Sequence, residues 1–302
     1  MSAPTVALLG TGKMGAAFIE RWRASGRDVV VWNRTADKAA ALVGDGVRAE
    51  ESVALAAASA AYVVTTMTNG EALMSVLIGG GAIEAMAPGT TLIDLSTIDA
   101  SSSHAIAVAA QRHGVRYVRG AVSGTPAVVR AGAATLLLSG PDDAIESARE
   151  VLEEITPTHV IVGEAEESRI VKMAVNSLLG GTMQLLAEAT TFAEASGVDR
   201  AVFLDALDQS VISSRFVTYQ GAALRARDYG ATFTTADALK DADLVRRAAE
   251  AAGVPLFLGT VVHERLVAAI EAGYARDDFL SLFCVQQLDS AMPADLERIP
   301  PP

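Results

Sequence analysis

Residues 5–32 read TVALLGTGKMGAAFIERWRASGRDVVVW, and their pattern indicates the fold class. Thr5 to Leu9 is a short apolar run of the kind found in buried strands, and Asp28 to Trp32 is a second one. Between them lies a glycine-rich turn, followed by a helical pattern that ends near Gly26. A strand, a turn, a helix and a second strand in this order predict a βα unit of a parallel sheet.

The same alternation continues through the first half of the chain and stops after Gly163. Further strands are predicted at Ala61–Thr66, Thr90–Leu95, Arg116–Val118, Ala134–Leu138 and His159–Val162. Glu166 to Ser196 then predicts one long helix, and only helical patterns follow. We therefore expect an α/β fold: an N-terminal Rossmann doubly wound sheet over residues 1–163 and an all-α C-terminal domain over residues 164–302, joined by a long interdomain helix. The proline-rich stretch from Pro293 to Pro302 is expected to be frayed.

Composition excludes several classes of protein. Apolar residues make up 51% of the 302 residues, enough for a large core. A net charge of -12 argues against a nucleic-acid partner. One cysteine, Cys284, and four histidines leave little material for a metal site, so none is expected. The most apolar stretch, Val53 to Thr66, is too short to span a bilayer, so we predict no membrane partner and a cytoplasmic location.

The glycine-rich turn matches the G-x-G-x-x-G pattern of dinucleotide-binding loops. Its residues are Gly10, Thr11, Gly12, Lys13, Met14 and Gly15. In such a loop the first glycine permits a tight turn, the second lets a pyrophosphate approach the backbone, and the third lets helix and strand pack closely. An ordinary glycine turn is the alternative. The preceding strand and the following helix favour a dinucleotide, whose phosphates the helix N-terminus would hold.

The end of the second strand indicates which dinucleotide is bound. An acid would be typical there of an NAD enzyme, because it binds the ribose hydroxyls. This chain has Asn33, Arg34 and Thr35 instead, with Lys38 one turn further on. These side chains suit a 2′-phosphate, so we predict that NADP(H) is preferred over NAD(H). The alternative is that Arg34 stacks on the adenine or faces solvent.

The long helix carries a stripe of chemically distinctive residues. Lys172, Asn176 and Gly180 are spaced four apart and therefore share one face. Their neighbours are apolar, which predicts a largely buried helix, and a buried ammonium can give or take a proton near neutral pH. Only four of the 24 basic residues are lysine, which favours a specific need for an amine at Lys172. A lysine that snorkels to the surface is the alternative.

With these motifs the sequence resembles the β-hydroxyacid dehydrogenase family, which includes 3-hydroxyisobutyrate dehydrogenases and the glyoxylate and succinic semialdehyde reductases. Four motifs carry the resemblance in the family's order and span nearly the whole chain: Gly10–Gly15, Val122-Ser123-Gly124-Thr125, Lys172-x-x-x-Asn176 and Lys240-Asp241-x-x-Leu244. Asp94-Leu95-Ser96-Thr97 is similar to the family's segment beside the nicotinamide.

The resemblance implies a function and roles for individual residues. The protein would transfer a hydride between the nicotinamide and a small aldehyde, keto acid or 3-hydroxyacid, with Lys172 as general acid and base and Asn176 orienting the substrate. Ser123, Gly124 and Thr125 would hold the substrate's carboxylate. The cofactor would further contact Met67, Thr68 and Thr97 on its nicotinamide side and Lys240 from the helical domain. Helical domains of this family pack against a partner chain, so a homodimer or homotetramer is expected.

Several departures from the family pattern leave alternatives open. The acid and the proline usual ahead of the substrate loop are absent, and Thr125 replaces its second glycine. Glu166 and Ser168 replace two glycines ahead of Lys172, and an added carboxylate could repel an anionic substrate. An NADPH-dependent imine reductase is one alternative, although those relatives typically lack the lysine. A non-catalytic dinucleotide-binding scaffold or sensor is the other.

Overall fold

A single sheet organises the N-terminal part of the chain in the computed structural model, which describes residues 5–298. Within those residues its eight strands are β1 (Val6–Leu9), β2 (Val29–Trp32), β3 (Val47–Ala49), β4 (Tyr62–Thr65), β5 (Thr91–Asp94), β6 (Arg116–Ser123), β7 (Thr135–Ser139) and β8 (Thr158–Gly163). Their order across the sheet is β3-β2-β1-β4-β5-β6-β7-β8. The strand order reverses at β1, as in a doubly wound sheet.

All seven predicted strands are present, and two features of the sheet differ from the prediction. The first is β3, which the sequence did not reveal because it has three residues and only Val47 is buried. The second is β7, which runs antiparallel to β6, whereas a wholly parallel sheet was expected. Residues 124–134 are too few for the crossover of a dozen or more residues that parallel neighbours require.

Helices cover both faces of the sheet. They are α1 (Lys13–Ala24), α2 (Ala36–Ala40), α3 (Val53–Ala58), α4 (Gly70–Met74), α5 (Ala82–Ala85), α6 (Ala100–Arg112), α7 (Pro126–Arg130) and α8 (Asp142–Ile155), and a π-helical turn follows α4. Alternate residues of β1 enter different cores, because successive side chains of a strand point to opposite faces. Leu8 packs with Phe18 of α1, and Leu9 packs with Leu73 of α4.

Helices joined by turns and loops make up residues 167–298, apart from one isolated bridge between Thr234 and Asp278. Its helices are α9 (Glu167–Ala195), α10 (Arg200–Asp208), α11 (Arg215–Ala226), α12 (Thr235–Ala251), α13 (Phe257–Glu271) and α14 (Leu282–Asp289), with a 3-10 turn before α14. The chain divides into two compact units between Lys172 and Met173, so α9 begins in the first unit and continues in the second. The fold class is therefore confirmed, whereas the boundary after residue 163 stays a prediction.

The long helix α9 is less buried within the chain than predicted. Met173 is buried, but Lys172 and Asn176 are half-buried and Ala174 is exposed. The expectation of a largely buried helix was wrong, because the apolar residues are spread around the helix rather than gathered on one face. On length and composition alone α9 is also apolar enough to cross a membrane, with 28% of its most apolar window buried. This property was not predicted, because polar residues interrupt the apolar ones along α9.

Residues 293–298 are anchored rather than frayed. The carboxylate of Asp295 accepts hydrogen bonds from Arg200 Nη2 at 2.9 Å and from Tyr229 at 3.0 Å. Tyr274 donates to the carbonyl of Leu296 at 2.6 Å. The guanidinium of Arg200 also lies 4.7 Å from the ring centre of Phe283. The prediction of a frayed end was wrong for residues 293–298, because composition does not reveal a buried ion pair. Residues 299–302, to which the prediction also applied, lie outside the described residues.

Candidate active site

The glycine-rich loop brings β1 and α1 closer together than any side chain would allow. Gly10 ends β1 with a φ of +101°, and a Cβ at that position would lie 2.4 Å from the carbonyl oxygen of Thr66. A Cβ on Gly15 would lie 2.3 Å from the carbonyl oxygen of Gly10. Both contacts are far inside van der Waals distance, so the first and third glycines of the motif are required by the fold itself.

The middle of the loop fits a dinucleotide phosphate. A Cβ on Gly12 would meet nothing within 4 Å, and this residue begins α1 without a side-chain cap. Among residues 5–298 the buried hydroxyl of Thr11 has no hydrogen-bond partner. The first turn of α1 also has no acidic residue. A buried hydroxyl donor, the room above Gly12 and the positive end of a helix dipole favour an anion here.

The predicted 2′-phosphate segment is joined to this loop through Asn33. The side-chain oxygen of Asn33 accepts from the backbone N–H of Thr11 at 3.1 Å, and its amide nitrogen donates to the carbonyl of Thr35 at 3.0 Å. The structure thus brings the two predicted cofactor segments together. Asn33 serves as the link between them, while Arg34, Thr35 and Lys38 are exposed.

The carboxyl ends of β4 and β5 are held against each other by two side-chain hydrogen bonds. The hydroxyl of Thr65 donates to Asp94 Oδ1 at 2.6 Å, and the backbone N–H of Met67 donates to the hydroxyl of Ser96 at 2.8 Å. The residues predicted on the nicotinamide side, Met67, Thr68 and Thr97, follow these strand ends, where ligands of open α/β sheets bind. Thr68 is exposed, and Met67 and Thr97 are half-buried.

The side chain of Lys172 contacts the residue ahead of the predicted substrate loop. Its Nζ donates to the carbonyl of Val122 at 2.9 Å, and Ser123 follows immediately. Gly124 has a φ of +146°, a backbone conformation that L side chains rarely adopt, and Thr125 Oγ1 accepts from the N–H of Val128 at the start of α7. The structure therefore brings the ammonium of Lys172 and the Ser123–Thr125 loop together within the first unit.

In the second unit the side chains of Asn176 and Lys240 both contact the carboxylate of Asp241. The amide nitrogen of Asn176 donates to Asp241 Oδ2 at 2.6 Å, and Nζ of Lys240 lies 2.7 Å from Asp241 Oδ1. Asp241 is buried and lines a mostly apolar pocket of about 600 Å³, counting its open mouth, to which Phe233 also contributes. Asp241 belongs to the Lys240 motif, but its contacts with Asn176 and Lys240 were not predicted from the sequence.

Glu166 and Ser168, which replace two glycines ahead of Lys172, each bind a partner side chain. Arg119 donates to Glu166 at 2.8 Å, and this pairing offsets the charge that was expected to repel an anionic substrate. The hydroxyl of Ser168 lies 2.8 Å from that of Ser139. Next to them the buried Arg169 donates to Asp94 Oδ2 at 2.6 Å. This ion pair could not be predicted from local patterns, because its partners are 75 residues apart.

Comparison with known proteins then assigns the family. The model for the NAD binding domain of 6-phosphogluconate dehydrogenase matches residues 5–163, which is more than half of the chain. The model for the NAD-binding domain of NADP-dependent 3-hydroxyisobutyrate dehydrogenase matches residues 167–285. The chain belongs to the β-hydroxyacid dehydrogenase family. The predicted resemblance is confirmed, and this β-hydroxyacid dehydrogenase homologue is an NAD(P)-dependent oxidoreductase.

Individual relatives of this β-hydroxyacid dehydrogenase homologue agree with that assignment. Glyoxylate/succinic semialdehyde reductase 1 of Arabidopsis thaliana is 27% identical over 275 residues, which are 91% of this chain and 95% of the relative. A Mycobacterium tuberculosis 3-hydroxyisobutyrate dehydrogenase solved with L-serine superposes with a TM-score of 0.85 at 25% identity, covering 94% and 98% of the two chains. An imine reductase from Pseudomonas sp. reaches a TM-score of 0.63 at 21% identity, covering 93% and 99%, and shares the fold alone.

Proposed function

We propose that the protein is an NADPH-dependent reductase of a small aldehyde or keto acid that also works in reverse as a 3-hydroxyacid dehydrogenase. The observation that carries the proposal is the bond from Lys172 Nζ to the carbonyl of Val122 at 2.9 Å. It holds an ammonium at the first residue of a loop whose N–H groups and hydroxyls suit a carboxylate. The name of the Arabidopsis relative, which includes two aldehyde acids, supports the same substrate class.

Each group of the chain then has a defined task. A bound nicotinamide dinucleotide supplies the hydride. The loop from Gly10 to Gly15 holds its pyrophosphate on the N-terminus of α1. The ammonium of Lys172 donates a proton to the carbonyl oxygen of the substrate as that oxygen gains negative charge, and takes one back in the oxidative direction. The amide of Asn176, which Asp241 holds through the 2.6 Å bond, orients the same oxygen.

The decisive experiment is the loss of NADPH absorbance with a panel of aldehydes, keto acids and cyclic imines. Turnover of aldehyde or keto acids supports the proposal. Turnover of the cyclic imines alone would make the protein an imine reductase, and binding of NADPH without turnover of any compound would make it a scaffold or sensor. The pairing of Glu166 with Arg119 at 2.8 Å supports an anionic substrate, because the arginine offsets the charge of the carboxylate that could repel it.

Arg34→Ala tests the cofactor preference. A charged hydrogen bond to a 2′-phosphate contributes about 1.5–3 kcal/mol, so the Kd for NADPH should rise by roughly 10–150-fold. The Kd for NADH should stay nearly unchanged, because NADH has no such phosphate. Fluorescence titration of both cofactors measures this. Arg149→Ala, which removes an exposed arginine on α8, is the matched control and should alter neither Kd. Equal losses for both cofactors would show that Arg34 does not recognise the phosphate.

We also propose that the protein is a homodimer or homotetramer held together through α9. Leu178, Leu185 and Phe192 are 72%, 57% and 74% exposed, and their seven-residue spacing places them on one side of the helix. Such a contiguous apolar stripe on a helix marks an interaction surface.

Light scattering at micromolar concentration should therefore give two or four times the 31.3 kDa chain mass. Leu185→Glu should shift the mass toward one chain, because a charge would be buried unpaired in the interface. Val211→Glu is the matched control: Val211 is fully exposed in the same unit, and the variant should keep the assembly. A wild-type mass of one chain would contradict the proposal.

A further inference from the structure

Arg169 carries a buried charge in the first unit that the proposed reaction does not use. Its side chain is 1% exposed, and that of its partner Asp94 is fully buried. Nη2 donates to Asp94 Oδ2 at 2.6 Å and to the hydroxyl of Tyr117 at 3.2 Å. Burial is the largest single effect and disfavours the charged guanidinium, but Asp94, Tyr117 and Glu166 together outweigh it. The pKa of Arg169 is therefore raised, and this side chain stays charged.

The second terminal nitrogen of the guanidinium, Nη1, binds backbone carbonyls. Nη1 donates to the carbonyl of Ser96 at 2.9 Å and to that of Gly120 at 2.6 Å. Asp94 in turn accepts from Thr65, and Ser96 accepts from the N–H of Met67. One guanidinium therefore fastens the first turn of α9 to β5 and β6 and, through Asp94 and Ser96, to the end of β4.

These segments are the ones that carry the predicted site. Arg169 and Lys172 are one helical turn apart, and they bind the carbonyls of Gly120 and Val122, two residues apart on β6. Three residues of helix rise about 4.5 Å and two residues of strand span about 6.6 Å, so two long side chains on one helix face can reach alternate carbonyls of one strand. The contact of Arg169 thus fixes where along β6 the ammonium of Lys172 lies.

The same arrangement explains the replaced glycines. Glu166, Ser168 and Arg169 each have a side-chain partner, on β6, β7 and β5 respectively. Residues 166–169 are consequently held by side chains from three strands, where glycines could supply none.

We propose that Arg169 is a positioning residue that sets Lys172 and the Ser123–Thr125 loop for proton transfer. This inference rests on the proposed function. Arg169 touches neither substrate nor cofactor and acts by holding the helix in register with β6. Because small misplacements of reacting groups slow a reaction strongly, loss of the bonds to Ser96 and Gly120 should lower kcat more than it weakens cofactor binding.

Steady-state kinetics with NADPH and succinic semialdehyde test the proposal. Arg169→Met should lower kcat by roughly 10–100-fold, with the KM for the aldehyde and the Kd for NADPH changing by less than about threefold. Arg27→Met is the matched control. Arg27 is equally buried and pairs with Glu150 and Glu154 far along the chain, so its loss should lower the melting temperature similarly and leave kcat intact.

Arg169→Lys covers the case in which the Met variant does not fold. It keeps a positive charge for Asp94, but an ammonium lacks the planar fork that reaches Ser96 and Gly120 at once. We expect a melting temperature near that of the wild type and a kcat still reduced at least about tenfold. Wild-type kcat in the folded Lys variant would overturn the proposal, because the charge alone would then suffice.

A second readout needs no turnover. The chain has four lysines, so acylation by acetic anhydride can be followed at Lys172 with Lys13, Lys38 and Lys240 as internal references. Arg169→Met should accelerate labelling of Lys172 relative to the others, and Arg27→Met should not. If the wild type reduces no carbonyl compound, the proposed function fails while labelling still decides the role of Arg169. Unchanged labelling of Lys172 in the Met variant would overturn that role.

Discussion

Lys172→Met is expected to lower turnover by about 10²–10⁴-fold, the usual contribution of a positioned general acid. The helix should remain folded, because methionine is a good helix former and an adaptable apolar side chain. The Kd for NADPH should stay near the wild-type value, since the ammonium of Lys172 binds the carbonyl of Val122, ahead of the substrate loop. Steady-state kinetics and fluorescence titration measure the two quantities separately.

Related variants separate proton transfer from positioning. Lys172→Arg should fail nearly as badly, because a guanidinium does not release its proton near neutral pH and needs more room. Asn176→Ala should cost less, since it removes orientation and leaves the proton donor in place. Ile170→Met, an exposed position on the same helix, is the matched control and should retain activity. Near wild-type turnover of Lys172→Met would make Lys172 a structural lysine and favour the imine reductase or the scaffold.

Gly10→Ala is expected to weaken NADPH binding by at least about 100-fold, since a displaced loop forfeits two or more charged hydrogen bonds of about 1.5–3 kcal/mol each. The added Cβ would lie 2.4 Å from the carbonyl oxygen of Thr66, and the φ of +101° is itself unfavourable for alanine. The loop must therefore move away from β4. Fluorescence titration with NADPH gives the Kd, and circular dichroism shows whether the fold persists.

Gly26→Ala separates backbone strain from the steric clash. Gly26 also has a positive φ, +73°, but a Cβ there would meet nothing within 4 Å. This variant should lose about 1 kcal/mol of stability and bind NADPH as the wild type does. Wild-type affinity in Gly10→Ala would show that the loop from Gly10 to Gly15 does not hold the cofactor.

Local patterns in the sequence were enough to predict most of the sheet and the cofactor loop. The apolar runs gave seven of the strands, because a buried parallel strand is almost continuously hydrophobic. The glycines at positions 10 and 15 signalled the close approach of β1 and α1, because no other residue fits there. The short strand Val47–Ala49 escaped notice because two of its three residues are exposed.

The partners of the site residues could not be predicted in the same way. Asn33 suggested a phosphate ligand, and only the tertiary structure reveals that it ties Thr11 to Thr35. Asp241 and Arg169 are charged residues in helical stretches that contain other charged residues, and most such charges are solvated. Their roles depend on contacts across 65 and 75 residues of chain, which no local periodicity records.

The ion pair between Arg200 and Asp295 affects when the helical unit can complete its fold during synthesis. Arg200 and Asp295 are 95 residues apart, and they form a buried ion pair to which Tyr229 also binds. During synthesis the sheet-bearing unit emerges first and can fold while the rest is still being translated. The helical unit, by contrast, cannot form the Arg200–Asp295 ion pair until Asp295 has left the ribosome. The first unit can therefore fold early in synthesis, whereas the second completes this ion pair only after the 95 further residues up to Asp295 have been translated.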